Sequence, residues 1–179
     1  EIHWTILEED EPFTIDANGL WARAVQAKIA GVQALALSPE DLILHLCLHL
    51  GYQHRFKIGL SGLYDIAAVM RHFQGKLDFG KLVEIAQQWG AERVTWLTLS
   101  LIEEVFGEAM PGQLLHQLRP PVDQPWIISI ARSELLDQVG ESVVMTPDLS
   151  AFAFEKGVFN QIRRLFSRVF LPRRTLAQL

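Results

Sequence analysis

Residues 38–50 read Ser-Pro-Glu-Asp-Leu-Ile-Leu-His-Leu-Cys-Leu-His-Leu, and the predicted fold is built around this segment. Ser38 is a good helix cap, Pro39 suits the first helical position, and the two acids that follow favour the positive end of a helix. The apolar residues after them surround nearly the whole circumference of a helix that is predicted to run to about Tyr52. A helix that is hydrophobic on all sides belongs at the centre of a domain, so we expect other helices to pack around it.

Further helices are predicted on the C-terminal side of this segment, from apolar residues at helical spacing and from caps, glycines and prolines near their ends. They cover residues 60–73, 79–89, 92–106, 112–118, 125–139 and 158–170. On the N-terminal side the pattern predicts strands at 1–7 and 32–37, a short return strand at 13–15 and a helix at 20–29. The fold class is therefore mainly α, a multi-helix bundle with a small N-terminal β element.

One structural domain with three parts is expected. Residues 1–37 supply the N-terminal strand or hairpin and the first helix, and residues 38–139 supply the helical core. Residues 140–179 supply a loop and a basic amphipathic C-terminal helix. The length of 179 residues, of which 49% are hydrophobic, is enough to bury a sizeable core.

The composition excludes several classes of protein. The formal net charge of -5 gives no overall bias toward nucleic acid. The longest nearly continuous apolar run, 42–50, contains two histidines and is far too short to span a membrane. The single cysteine, Cys47, cannot form a disulfide within the chain, so a reducing, cytoplasmic setting is expected.

The C-terminal end is basic, in contrast to the acidic body. Residues 155–179 contain six basic residues and one acidic residue. Arg163, Arg164 and Arg168 form the polar side of the predicted last helix and are the candidate anion-binding residues. This helix can dock on the body of the protein, on a partner, on an anionic surface or on nucleotide phosphates.

A polar row on the central helix carries the candidate site. Asp41, His45 and His49 follow each other at four-residue intervals and therefore share one face, and Gln53 extends the row. On the next helix Asp65 is the lone acid of an apolar segment, and antiparallel packing of the two helices allows His49 and Asp65 to face each other. Three interpretations remain open: a hydrogen-bonded structural pair, a ligand pocket formed by His45, His49 and Asp65, or a metal site that uses the same residues.

Four short motifs, taken in order, resemble a known family. They are Glu-Ile-His-Trp at 1–4, Leu-Ser-Pro-Glu-Asp at 37–41, Leu-Cys-Leu-His-Leu at 46–50 and Gly-Leu-Ser-Gly-Leu-Tyr-Asp-Ile-Ala at 59–67. Their order and spacing resemble the uncharacterised nucleotidyltransferase family, a branch of the polymerase-β-like superfamily. The resemblance spans most of the chain, and it identifies the N-terminal β element as the remnant edge of an α/β nucleotidyltransferase fold.

The resemblance implies a function and ligands for the complete protein. Members of the family carry a Gly-Ser turn and an Asp-x-Asp pair upstream of the strand that matches residues 1–7, and those acids would bind Mg²⁺ and a nucleoside triphosphate. Glu1 matches the third carboxylate of the metal site, whereas His49 and Asp65 fall on the matched helical motifs. The expected reaction is nucleotidyl transfer to an unknown small-molecule or protein acceptor, with this chain as the C-terminal, substrate-side helical region.

Two other classes of function remain as alternatives. The chain can be a non-catalytic helical module that binds a partner through its basic end. It can also be a metal-binding protein with histidine ligands, although Leu46 stands where a zinc protease needs a glutamate directly after the first histidine.

The absence of the Gly-Ser and Asp-x-Asp motifs from this sequence leads to a first prediction. Because the Mg²⁺ that binds the triphosphate requires several carboxylate ligands, one matching acid does not suffice for transfer. We expect no nucleotidyl transfer when this chain alone is supplied with Mg²⁺ and ATP and release of pyrophosphate is measured. Clear turnover would show that the catalytic groups are present in this sequence after all.

Overall fold

The computed structural model describes residues 6–7, 11–121 and 125–136. In this part the chain forms seven α-helices, one two-stranded sheet and one π-helical segment, which confirms a mainly α fold. The elements are α1 (Ala17–Arg23), β1 (Val25–Ile29), β2 (Val32–Ala36), α2 (Pro39–Cys47), the π-helical segment (Leu48–Gln53), α3 (Leu60–His72), α4 (Phe79–Trp89), α5 (Glu92–Phe106), α6 (Gly112–Leu118) and α7 (Pro125–Leu136). Residues 1–5 of the predicted strand at 1–7 and the predicted helix at 158–170 lie outside the described residues, and Ile6 and Leu7 form a bend.

Helix α2 begins as its sequence predicts and lies at the centre of the bundle. The Ser38 side chain accepts a hydrogen bond from the backbone N–H of Asp41, and Pro39 occupies the first turn. Ile43, Leu44 and Cys47 are completely buried. Helices α3, α4 and α5 all pack against α2. Since each buried aliphatic side chain contributes about 1.5–3 kcal/mol, this helix supplies a large share of the hydrophobic stabilisation.

The central helix continues beyond Cys47 with a different hydrogen-bond pattern. Residues Leu48–Gln53 form a π-helical segment, in which the N–H of His54 donates to the carbonyl of His49 over 3.0 Å. Close packing against α5 accompanies this change. A Cβ atom built on Gly51 would lie 2.6 Å from Cγ2 of Val94. A side chain at this position therefore has no room.

The region before α2 differs from the sequence prediction in two places. The predicted helix at 20–29 is wrong for its second half, because α1 ends at Arg23 and residues 25–29 form β1. Strand β1 pairs antiparallel with β2, which confirms the predicted strand at 32–37, and Ala30 and Gly31 join the two with positive φ angles of 49° and 86°. This is the geometry of a tight two-residue hairpin turn.

The second difference concerns residues 13–15, which were predicted as a return strand. They run as an irregular segment instead, and the N–H of Thr14 donates to the carbonyl of Trp89 over 3.1 Å. Phe13 packs edge-on against Tyr52, with 4.8 Å between the ring centroids. This segment is thus held by α4 and by the π-helical segment rather than by a neighbouring strand.

The hairpin formed by β1 and β2 projects from the bundle. Its register places Val25, Ile29 and Val32 on one face, and all three are exposed. Within the described residues, no helix is both long enough and apolar enough to cross a membrane.

The tight contact at Gly51 leads to a stability prediction. Gly51→Ala should lower the free energy of unfolding by about 1–3 kcal/mol, because the added methyl group meets Val94 and Phe56 in a packed interior. Gly112→Ala is the matched control and should change stability little, since a Cβ at this first residue of α6 meets nothing within 4 Å. Urea unfolding of the two variants measures the difference, and equal stabilities would contradict the packing argument.

Candidate functional site

A cavity of about 440 Å³ lies between α1, the hairpin and the end of the central helix. This volume falls within the range of small-molecule sites. The residues that line it are Ile6, Ile15, Ala17, Leu20, Trp21, Ala24, Leu35, Leu37, His45, His49 and Gln53. None of these lining residues is Asp, Glu, Lys or Arg, so the cavity favours a ligand that is neutral and partly apolar.

The polar side of the cavity comes from the central helix. His45, His49 and Gln53 line it together, at the four-residue intervals noted in the sequence. The rings of His45 and His49 are stacked, with 6.0 Å between their centroids and 29° between their planes. The sequence therefore placed these three side chains correctly on one face.

A short chain of hydrogen bonds fixes two of these side chains. Nδ1 of His49 lies 2.7 Å from Oε1 of Gln53, and Nε2 of Gln53 donates to the carbonyl oxygen of Ile6 over 3.2 Å. The Gln53 amide thus connects the imidazole in the cavity with the backbone of the N-terminal segment.

His54 lies beside this cluster. Its ring meets the ring of His49 edge-on, with 4.4 Å between the centroids. Burial lowers the pKa of His54, and the nearby His49 lowers it further. The neutral form of His54 is therefore favoured at neutral pH.

The opposite side of the cavity is apolar and open at its mouth. Trp21 from α1 is 71% exposed and Leu35 from β2 is 56% exposed, although both line the cavity. An accessible indole beside a cavity offers a flat apolar surface to a ring. Neither Trp21 nor Leu35 was among the candidate site residues predicted from the sequence.

Asp41 does not belong to the cavity, although it begins the polar row. It is completely buried, and its carboxylate receives the Arg23 guanidinium, with Nε 2.9 Å from Oδ2 and a terminal nitrogen 2.8 Å from Oδ1. The Ser38 hydroxyl donates to Oδ2 over 2.7 Å. The hydrogen bond to Asp41 is the main cause of a raised pKa for Arg23. This ion pair attaches the end of α1 to the start of α2.

Asp65 also lies apart from the cavity. It is exposed on α3. Nδ1 of His49 faces Gln53 and not Asp65. The expected approach of His49 to Asp65 is therefore wrong. The reason is that the buried face of α3 is formed by Leu63, Ile66 and Ala67, which leaves Asp65 on the solvent side.

The remaining residues of interest are the candidate metal ligand Glu1, the candidate anion-binding arginines and the thiol of Cys47. Glu1, Arg163, Arg164 and Arg168 lie outside the described residues. Within the described ranges, no three His, Cys, Asp or Glu side chains converge in a way that could hold a metal ion. Cys47 is fully buried, and burial raises its pKa to about 12, so its thiol stays protonated.

The fold and the cavity together define a helical domain with a site of small-molecule size, polar on one wall and apolar on the other. The sequence model of the family described as uncharacterised nucleotidyltransferase matches residues 1–107, and the chain belongs to this family. The matched region extends through α5, and it includes every residue that lines the cavity. Neither the curated proteins nor the solved structures contain a match to the chain.

The buried ion pair leads to a second stability prediction. Arg23→Met should lower the free energy of unfolding by about 3–5 kcal/mol, because it leaves the Asp41 carboxylate buried without its cation. The matched control is Arg132→Met, which removes an ion pair to Glu104 of the same 2.8 Å length at the surface and should cost about 0–1 kcal/mol.

Chemical denaturation of both variants provides the comparison. A double variant, Arg23→Met with Asp41→Leu, should recover part of the loss because no charge is then left in the interior. If Arg23→Met costs no more than Arg132→Met, the buried pair does not hold α1 in place.

Proposed function

We propose that the cavity is the acceptor site of a nucleotidyltransferase that transfers a nucleotidyl group from a nucleoside triphosphate to a hydroxyl-bearing molecule. In this reaction the acceptor oxygen forms a bond to the α-phosphorus. The bond from the α-phosphorus to the bridging oxygen breaks, pyrophosphate leaves with the electron pair, and the hydroxyl proton passes to a base. The observation that carries the proposal is a small-molecule cavity within the region that matches the family.

The position of the cavity along the chain supports this assignment. Ile6 forms part of the cavity wall and follows Glu1, the acid that the family resemblance assigns to the metal site, by five residues. Five residues span at most about 18 Å of extended chain. This chain length keeps Glu1, the acid that the resemblance assigns to the metal site, within about 18 Å of the cavity wall.

The lining residues suit an acceptor rather than the triphosphate. A triphosphate needs cationic side chains, backbone N–H groups or metal ions, and the described lining contains no lysine or arginine. An acceptor needs orientation and a site from which its hydroxyl can react. Trp21 and Leu20 supply apolar contact for such a molecule, while His45, His49 and Gln53 supply hydrogen bonds.

The described residues do not form a magnesium site, so no step of the reaction is assigned to a metal ion within them. In this proposal the Mg²⁺ and the triphosphate are held by the Gly-Ser and Asp-x-Asp motifs that the family resemblance implies, together with Glu1. In this proposal the described part of the chain binds the acceptor and orients it.

A cavity-filling variant tests the proposal. Ala24→Phe places a ring in the cavity, whereas Ala22→Phe adds the same ring to an exposed position of α1 that does not line it. We expect Ala24→Phe to lower transfer by about 100-fold or more because the acceptor can no longer enter, and Ala22→Phe to leave it within a few-fold.

The assay uses a form of the protein that includes the Gly-Ser and Asp-x-Asp motifs required by the proposal, a nucleoside triphosphate labelled at the α-phosphate, and a small-molecule extract as the source of acceptors. Label that enters an extract molecule shows transfer, and circular dichroism shows that both variants are folded. The absence of any labelled product would refute the transferase assignment. Equal labelling by the two variants would show that the acceptor does not bind in this cavity.

A further inference from the structure

The hydrogen bonds of Gln53 determine which nitrogen of His49 carries the proton. A backbone carbonyl can only accept, so the atom of Gln53 that faces Ile6 is the amide nitrogen, which donates over 3.2 Å. The amide oxygen of Gln53 then faces His49, 2.7 Å from Nδ1. Since an amide oxygen is an acceptor, Nδ1 must be the donor.

The neutral imidazole has one protonated nitrogen, and the other carries a lone pair. With the proton of His49 on Nδ1, Nε2 is the nitrogen that can receive a proton. The ring lies in the cavity wall, beside the stacked ring of His45. The carbonyl of Ile6, the Gln53 amide and the imidazole thus form a directed chain of hydrogen bonds, which leaves Nε2 as the proton-accepting nitrogen of a ring in the cavity wall.

We propose that His49 accepts the proton of the attacking acceptor hydroxyl at Nε2, and that Gln53 is the positioning residue that fixes this tautomer. The inference deepens the proposed function and rests on the cavity being the acceptor site. When the acceptor oxygen bonds to the α-phosphorus, its proton moves to Nε2, and His49 becomes an imidazolium that still donates from Nδ1 to Gln53. The preferred substrates are then neutral alcohols with an apolar portion.

The geometry of the helix supports this role. His49 and Gln53 both belong to the π-helical segment, and segments of this kind occur frequently at functional sites. Tight packing behind Gly51 fixes the backbone between the two side chains. A general base must be held in a defined orientation. Packing fixes the backbone of His49, and the hydrogen bond to Gln53 fixes its Nδ1.

The tautomer can be measured directly on this 179-residue chain by long-range ¹H–¹⁵N correlation spectra of the histidine rings above pH 7.5. The ring of His49 is identified by the signals that vanish in His49→Gln. We expect the Nδ1–H tautomer for His49. Gln53→Leu should abolish this preference, whereas Gln88→Leu, which removes a glutamine bonded to Glu84 at an exposed site of α4, should leave it unchanged.

A second measurement probes the lone pair. Benzyl alcohol has the hydroxyl and the apolar ring that the cavity favours, and toluene lacks the hydroxyl. Saturation with benzyl alcohol should shift the Nε2 resonance of His49 upfield, as expected when an unprotonated nitrogen receives a hydrogen bond, and toluene should shift it much less.

Two results overturn the inference: an Nε2–H tautomer for His49, or equal shifts with the two probes. Neither measurement needs a nucleotide or turnover. Failure of the labelling assay would therefore refute the transferase assignment without changing the tautomer, and an Nε2–H tautomer would refute the role of His49 while leaving transfer at this cavity possible.

Discussion

A carboxylate that is completely buried needs a cation, and Asp41 obtains one from Arg23, 18 positions earlier in the sequence. The rest of the candidate site depends on this pair, because it attaches α1 to the central helix and thereby places Leu20 and Trp21 opposite His45 and His49. Breaking such a pair costs far more than a surface ion pair contributes. Its value here is geometric, since it fixes the distance between the apolar and polar walls of the cavity.

Much of the helical fold was predictable from local signals. Helices α4 and α5 have the predicted bounds, because Asp78 caps the first and Gly90 and Gly107 follow the ends of the two helices. The central position of α2 followed from its uniformly apolar surface. These features depend on residues within one or two turns of each other, so local sequence patterns predict them.

The features that were not predictable depend on contacts between distant residues. The segment at 25–29 is short and apolar enough to suit a helix or a strand, and Ala30-Gly31 is a weaker turn signal than Asn-Gly. The close approach of Gly51 to Val94 joins residues that are 43 positions apart. The polar row at His45, His49 and Gln53 was visible in the sequence, whereas the partner of Asp41 and the exposed position of Asp65 required the tertiary structure.

The hairpin of β1 and β2 has a consequence for the behaviour of the protein in concentrated solution. In the described part of the chain its sheet has only two strands, so each strand has one edge whose N–H and C=O groups are free to pair. Open edges with exposed valine and isoleucine are the places where sheets extend by adding strands from other molecules. Lys28 is the charged residue within these two strands, and a lysine on an edge is a common means by which proteins discourage such aggregation. Leu35, at the mouth of the cavity, belongs to the same hairpin, so a strand added from another molecule would lie close to the cavity.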